Sequence, residues 1–246
     1  MRIGSLFAGI GGFDLAACWM GWSTAWVSEI DPYASRVLAH HFPEAPNLGD
    51  ITTVEWGGVE RPDVLCGGFP CQPNSIAGRR SGLTDTRWLW PAFRDSIGTL
   101  RPDWVVGENV LGLLDVNGGR GFASVLRDLA ALGYDAEWGC IAADAAGAAH
   151  QRDRVWLVAY PMRERREGLE PHQRLLGRTG ATLAQSRHRA AFAGLSVAAS
   201  GACLRERHGV SIGMDRRCLH GLGNAIVPQV AYAIFSAIAQ VEKQHP

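Results

Sequence analysis

The sequence predicts an α/β protein, a mostly parallel twisted sheet with helices on both faces plus a small irregular second lobe. Three observations carry this. Over the first 160 residues short apolar runs alternate with amphipathic stretches, as expected of strands covered on both faces by crossover helices. From Met162 to about Leu219 that periodicity fades into Arg, Gly and short Ala-rich pieces. Over Pro228–Val241 it returns as a helical amphipathic pattern. The expected organisation is a first lobe over 1–160, an irregular segment over 161–219, and a stretch over 220–246 whose helix returns to the first lobe.

The apolar runs place strands at Arg2–Phe7, Thr24–Ser28, Asp63–Cys66, Trp104–Gly107, Tyr134–Ala142 and Arg154–Tyr160. Helices fill the gaps. Asp31 followed by Pro32 reads as an N-cap with proline in the first turn, opening a helix to about His40. Phe122, Val125, Leu126, Leu129 and Leu132 recur at helical spacing.

At 246 residues, 47% of them hydrophobic, the chain can bury a full core. No run approaches the roughly 20 apolar residues of a membrane span, and the start MRIGSLFAGIGG lacks a signal-peptide layout. The expected location is cytoplasmic, with no membrane partner. Six scattered cysteines, without a CxxC pair or a Cys/His cluster, suggest neither a disulfide framework nor a metal site. Formal net charge is zero, yet residues 161–217 hold 11 Arg against 5 acidic residues, leaving 13 basic and 19 acidic side chains elsewhere. An acidic scaffold carrying one basic surface is the implied arrangement.

Phe7–Gly12, FAGIGG, follows the first strand and precedes the helical run FDLAACWMG. Glycines at Gly9, Gly11 and Gly12 permit a tight turn and close approach of backbone to a ligand, although Gly-rich turns also serve packing alone. This is not the dinucleotide fingerprint. GxGG after Phe suits S-adenosylmethionine, which has no pyrophosphate to cradle. Glu29 stands 20 positions after Gly9 at a strand end, where a carboxylate accepts from two ribose hydroxyls. Asp50, in GDIT, follows a similar run and suits the adenine amino group. Ile30 and Ile51, beside these acids, join the expected cofactor site.

Gly67–Arg80, GGFPCQPNSIAGRR, carries a Pro-Cys dipeptide directly after a strand, in surroundings too rich in Pro and Gly for a core thiol. Here the chain resembles the cytosine-5 DNA methyltransferase family, whose signature is this dipeptide in a loop at the carboxyl edge of the sheet. Further motifs follow in the family's order: GENV at Gly107–Val110, HQRDRVWLVA at His150–Ala159 and GNAIVPQVA at Gly223–Ala231. The resemblance covers residues 2–160 and 221–241 and implies a Rossmann-like methyltransferase fold using S-adenosylmethionine.

The implied chemistry fits these residue types. Carbon 5 of cytosine is a poor nucleophile, and a thiolate adding to carbon 6 converts the ring into an enamine that attacks a methylsulfonium. The resemblance gives that thiolate to Cys71, the hydrogen bond at N3 to Glu108, loop placement to Asn109, and contact with a flipped base to Arg154. Gln72 matches a residue near that base, whereas Arg152 is read as a brace. Phe7 is implied to stack on adenine, Gly68 and Pro70 to line the cofactor's amino-acid end, Asn224 and Ala225 to contact its methionine part, and Leu89 to touch the adenine. The base that removes the carbon-5 proton is not identified.

Arg79 and Arg80, in the loop after the Pro-Cys dipeptide, and Arg163, Arg165 and Arg166 beyond the last strand are the expected DNA contacts. Double-stranded DNA is the implied substrate, acted on by a monomer of prokaryotic or phage origin. Only about sixty residues are available for target recognition, so specificity is short, relaxed or supplied by a specificity partner, unless the segment is the remnant of a deleted region; a cognate restriction enzyme, a phage role and a solitary role all stay open. Two alternatives stand beside this reading: a cytosine-5 tRNA methyltransferase, and a catalytically silent DNA-binding member that needs a partner.

Overall fold

The computed structural model describes residues 1–70, 88–115, 117–146, 153–162 and 225–244. Among the described residues six strands, β1 (Arg2–Leu6), β2 (Ser23–Ser28), β3 (Val64–Gly68), β4 (Trp104–Val110), β5 (Tyr134–Ala142) and β6 (Asp153–Pro161), form one sheet in the order β2-β1-β3-β4-β6-β5. β1 pairs with β2 and β3 in parallel, as β3 does with β4, while β6 is antiparallel to both β4 and β5. Only β6 runs against the rest, so the expected α/β class and mostly parallel sheet are observed.

Side chains alternate across the sheet as the strand period demands. Ile3, Val64, Cys66, Trp104, Val106, Trp156 and Val158 point to one face, where helices α1 (Gly12–Trp19) and α5 (Pro228–Gln244) cover them. Leu65, Val105, Val155, Leu157 and Ala159 point to the other, under α3 (Trp90–Leu100) and α4 (Arg120–Ala131). The buried residues of α3 (Trp90, Phe93, Ile97, Leu100) and α4 (Phe122, Val125, Leu129) recur every three or four positions. Each such buried side chain contributes about 1.5–3 kcal/mol. α2 (Pro32–His41) packs Leu38 against Ala8 and Val27 near the β2 edge.

Local chemistry sets the element ends. The Asp31 carboxylate accepts from the amides of Tyr33 and Ala34, capping α2 with Pro32 in its first turn, as the sequence predicted. β1 stops at Leu6, one residue short of the expected end, because Phe7 takes φ 51, a left-handed conformation no strand contains. β3 and β4 run longer than expected: Gly67, Gly68, Glu108, Asn109 and Val110 all lie within the sheet. The indole N–H of Trp104 at the foot of β4 donates to Glu242 Oε1 at 3.0 Å, tying α5 to the sheet. Among the described residues no helix is long and apolar enough to cross a membrane, and no group of three or more His, Cys, Asp or Glu side chains could hold a metal ion.

Candidate active site

The carboxyl ends of β1, β2, β3 and β4 share one edge of the sheet. The order reverses between β1 and β3, the switch point outside which α/β sheets hold their ligands. Because β6 is antiparallel, its beginning reaches the same edge, and Arg154 pairs in register with Val110. The fold therefore gathers the described motif residues of all five strands.

At β1 the turn after Leu6 runs through Phe7, Gly9 and Gly11, all with positive φ. Gly11, at φ 86, also has no room for a side chain, since a Cβ there would sit 2.7 Å from the Phe42 ring. Gly9 faces outward, its nearest prospective contact being the Phe7 carbonyl at 4.0 Å. Its amide donates to Glu29 Oε2 at 2.7 Å, and the other carboxylate oxygen of Glu29 accepts from the Asp31 amide, also at 2.7 Å. The first acid thus closes onto the Gly turn. Ile30 beside it is 69% exposed, an apolar side chain held in solvent at this edge.

Asp50 is exposed, and Ile51 is buried. Asp50 Oδ1 accepts from the amide and hydroxyl of Thr52, at 2.9 and 2.7 Å. These two bonds, the amide first, hold its carboxyl below the usual aspartate range. Phe7 is half-buried and meets Phe93 edge-on at 6.4 Å, and Leu89 is the half-buried N-cap residue of α3.

On the β3–β4 side, Gly68 pairs in register with Glu108. Glu108 is 9% exposed, and its Oε1 lies 2.9 Å from Nε of Arg154. Asn109 Nδ2 donates to the Phe69 carbonyl at 2.8 Å, its Oδ1 accepting from the Val110 amide. That bond fixes the backbone immediately before Pro70. The Phe69 ring is held from below by Trp88, Trp90 and Phe93 at centroid distances of 5.9, 5.3 and 6.0 Å.

Ile226, next to the expected Ala225, joins the two halves. A Cβ on Gly12 would come within 2.7 Å of the Ile226 carbonyl, and one on Gly68 within 3.0 Å of Ile226 Cδ1 and 3.2 Å of Glu108 Oε2. The sequence reading singled out neither Ile226 nor Phe69 nor Asn47, whose amide brackets Glu29. Ile226 had a signal, since it lies inside the GNAIVP motif. Cys71, Gln72, Arg79, Arg80, His150, Arg152, Arg163, Arg165, Arg166 and Asn224 lie outside the described residues.

A glycine turn after β1, an acid after β2 and a change of strand order beside them in a six-stranded α/β sheet define a Rossmann-like fold. The model of the C-5 cytosine-specific DNA methylase family matches residues 1–175, and the chain belongs to that family. It is 36% identical over 156 residues to the type II methyltransferase M.NgoBI of Neisseria gonorrhoeae, covering 63% of this chain and 49% of that protein. Over 125 residues it is 43% identical to a DNA N-6-adenine-methyltransferase of Escherichia phage P1, covering 45% of this chain and 17% of that one. The solved structure of the Entamoeba histolytica methyltransferase EhMeth superposes with a TM-score of 0.56 at 17% identity, over 70% of this chain and 56% of that chain, a likeness of fold. The chain thus spans half or less of the length of these two curated relatives.

Proposed function

We propose that the chain is a DNA cytosine-5 methyltransferase that draws its methyl group from S-adenosylmethionine and acts inside the cell on double-stranded DNA. The observation that carries this reading is the convergence of Glu108, Arg154 and the Phe69–Pro70 backbone on one sheet edge with the glycine turn. Pro70 leads directly into Cys71.

The residues at β1 and β2 fit the cofactor. Gly9 leaves the outer side of its turn open, and the Glu29 carboxylate stands against that turn, where it can accept from ribose hydroxyls. Phe7, Ile30, Ile51 and Leu89 are assigned to the adenine as apolar contacts, with Asp50 for its amino group. Gly68, Pro70, Asn224 and Ala225 are assigned to the methionine end. When bound, S-adenosylmethionine supplies an electrophilic methyl group on a sulfonium.

The residues at β3, β4 and β6 supply the rest. The Cys71 thiolate forms a bond to carbon 6 of a cytosine flipped out of the duplex, and the ring electrons move toward carbon 5. The negative charge developing at N3 is neutralised by a proton from the Glu108 carboxylic acid, and Arg154, against its Oε1, fixes that side chain and pairs with the carboxylate left behind. Arg154 also faces the base. Asn109, by holding the Phe69 carbonyl, sets the direction in which Pro70 and Cys71 leave the strand, with Gln72 beside the base. Once carbon 5 has taken the methyl group and lost its proton, the carbon–sulfur bond breaks and Cys71 is regenerated. Arg79, Arg80, Arg163, Arg165 and Arg166 are assigned to DNA phosphates.

The test is expression in a host without cytosine methylation, followed by mass spectrometry of the DNA nucleosides and bisulfite sequencing, beside Cys71→Ala. We expect 5-methylcytosine in a fixed short context, absent from the variant. N6-methyladenine in its place would overturn the cytosine reading in favour of the activity named for the phage P1 relative, and methylated tRNA with unmethylated DNA would favour the RNA alternative. A soluble chain that modifies neither would leave the silent binding module or a missing partner.

A further inference from the structure

Asn47 sits in the short run Pro46–Asp50, alongside the end of β2. Val27 donates its amide to the Pro46 carbonyl at 3.0 Å and accepts from the Leu48 amide at 2.8 Å, so the run follows β2 as a partial strand. From there the Asn47 side chain makes four hydrogen bonds. Its Oδ1 accepts from the amides of Glu29 and Gly49, each at 3.0 Å, and its Nδ2 donates to the Glu29 carbonyl at 3.0 Å and to Ser35 Oγ at 3.1 Å. That uses both acceptor sites and both donors of a carboxamide. No other side chain of this length offers two donors and two acceptors from adjacent atoms.

The consequence falls on Glu29. Its backbone N–H and C=O are both held by one side chain, and Ser35 Oγ adds a second, longer bond to the same carbonyl at 3.3 Å. The carboxylate is thereby presented to the Gly9 amide at 2.7 Å. The same Asn47 oxygen holds Gly49, whose carbonyl accepts from Ser28 Oγ at 2.7 Å, and Asp50 follows directly. One exposed amide therefore ties together the two acids assigned to the cofactor while contributing nothing to the hydrophobic clusters of the core.

We infer that Asn47 is a positioning residue for S-adenosylmethionine, setting the spacing of Glu29 and Asp50. The inference rests on the reading of that edge as the cofactor site. Because its bonds serve a solvent-facing loop, the signature is a loss of cofactor affinity at nearly constant stability and turnover.

The experiment is calorimetric titration of the full chain with S-adenosylmethionine, for wild type, Asn47→Ala, Asn47→Asp and Ser35→Ala, with thermal melting and methylation rates at saturating cofactor. We expect Asn47→Ala to bind on the order of tenfold more weakly, with kcat unchanged and a melting temperature within about 4 °C of wild type. Asn47→Asp keeps the shape but loses both donors and should weaken binding similarly; Ser35→Ala should weaken it less. Wild-type affinity in either Asn47 variant overturns the inference alone. Should Asn47→Ala unfold, Asn47→Asp decides. A folded wild-type chain that binds no S-adenosylmethionine overturns the cofactor reading and this inference together.

Discussion

The two ends of the candidate site hold their acids in different ways. At β1 and β2, Glu29 is half-exposed and receives neutral amide N–H groups from Gly9 and Asp31. At β4 and β6, Glu108 is buried and faces a guanidinium at 2.9 Å. The first arrangement leaves a carboxylate free to exchange loop amides for the hydroxyls of a ligand at small cost. The second fixes a charge where little water remains, and electrostatic interactions there are stronger and less forgiving. Binding is thus assigned to a rim built from backbone, and chemistry to a rim built from buried side chains.

Glu108→Gln breaks the contrast most severely. It keeps the size of the side chain but cannot give up a proton as a carboxyl group does, and kcat should fall by about 10²–10⁴, with cofactor affinity near wild type by calorimetry. An unchanged single-turnover rate would remove Glu108 from the chemistry. Glu29→Gln probes the opposite rim. We expect cofactor affinity to drop by roughly ten- to a hundredfold, the ~1.5–3 kcal/mol of a charge-assisted hydrogen bond, with kcat at saturation largely retained. Equal effects of the two variants on kcat would erase the proposed division.

A third acid sharpens the comparison from beneath. Asp14, in α1, is fully buried and accepts from the hydroxyls of Ser5 at 3.1 Å and Thr24 at 3.0 Å and from a backbone amide. Burial, only partly offset by those bonds, pushes its carboxyl up from the ordinary 3.8 to about 6. The folded state therefore binds a proton that the unfolded state has released between about pH 4 and 6, so this group's contribution to stability declines as pH rises through that window. The size is roughly 3 kcal/mol at most. Urea denaturation at pH 4.5 and 7.5 should show that decline in wild type and lose it in Asp14→Asn; identical pH dependence in the two proteins would refute the assignment.

Much of the sheet was legible because its strands are buried on both faces and read as uninterrupted apolar runs. The strand ends were not. Gly67, Gly68, Glu108 and Asn109 have weak strand propensity, which pairing overrides: Gly67 and Glu108 are paired on both sides, Gly68 and Asn109 on one. Those are the positions where the candidate site sits, so the least predictable backbone carries the proposed chemistry. The reversed direction of β6 was equally hidden, because apolar periodicity is the same in either orientation. Motif residues such as Glu29, Glu108 and Arg154 could be picked out by type and spacing. Their mutual contacts could not, and Asn47 was missed because an Asn before Leu-Gly-Asp reads as ordinary turn composition.

The packing of α5 against α1 bears on how the chain is made. α1 is made long before α5, yet the apolar face it shares with β1, β3, β4 and β6 is completed only by residues 228–244. During synthesis that face stays open while some two hundred residues are added. Contacts so distant in sequence are slow to form, and uncovered apolar surface invites wrong partners. Ile226, wedged between Gly12 and Gly68, arrives at the same late moment. The two rims of the site therefore reach their final spacing only once residues 226–244 have been made, which ties the birth of the site to the arrival of α5.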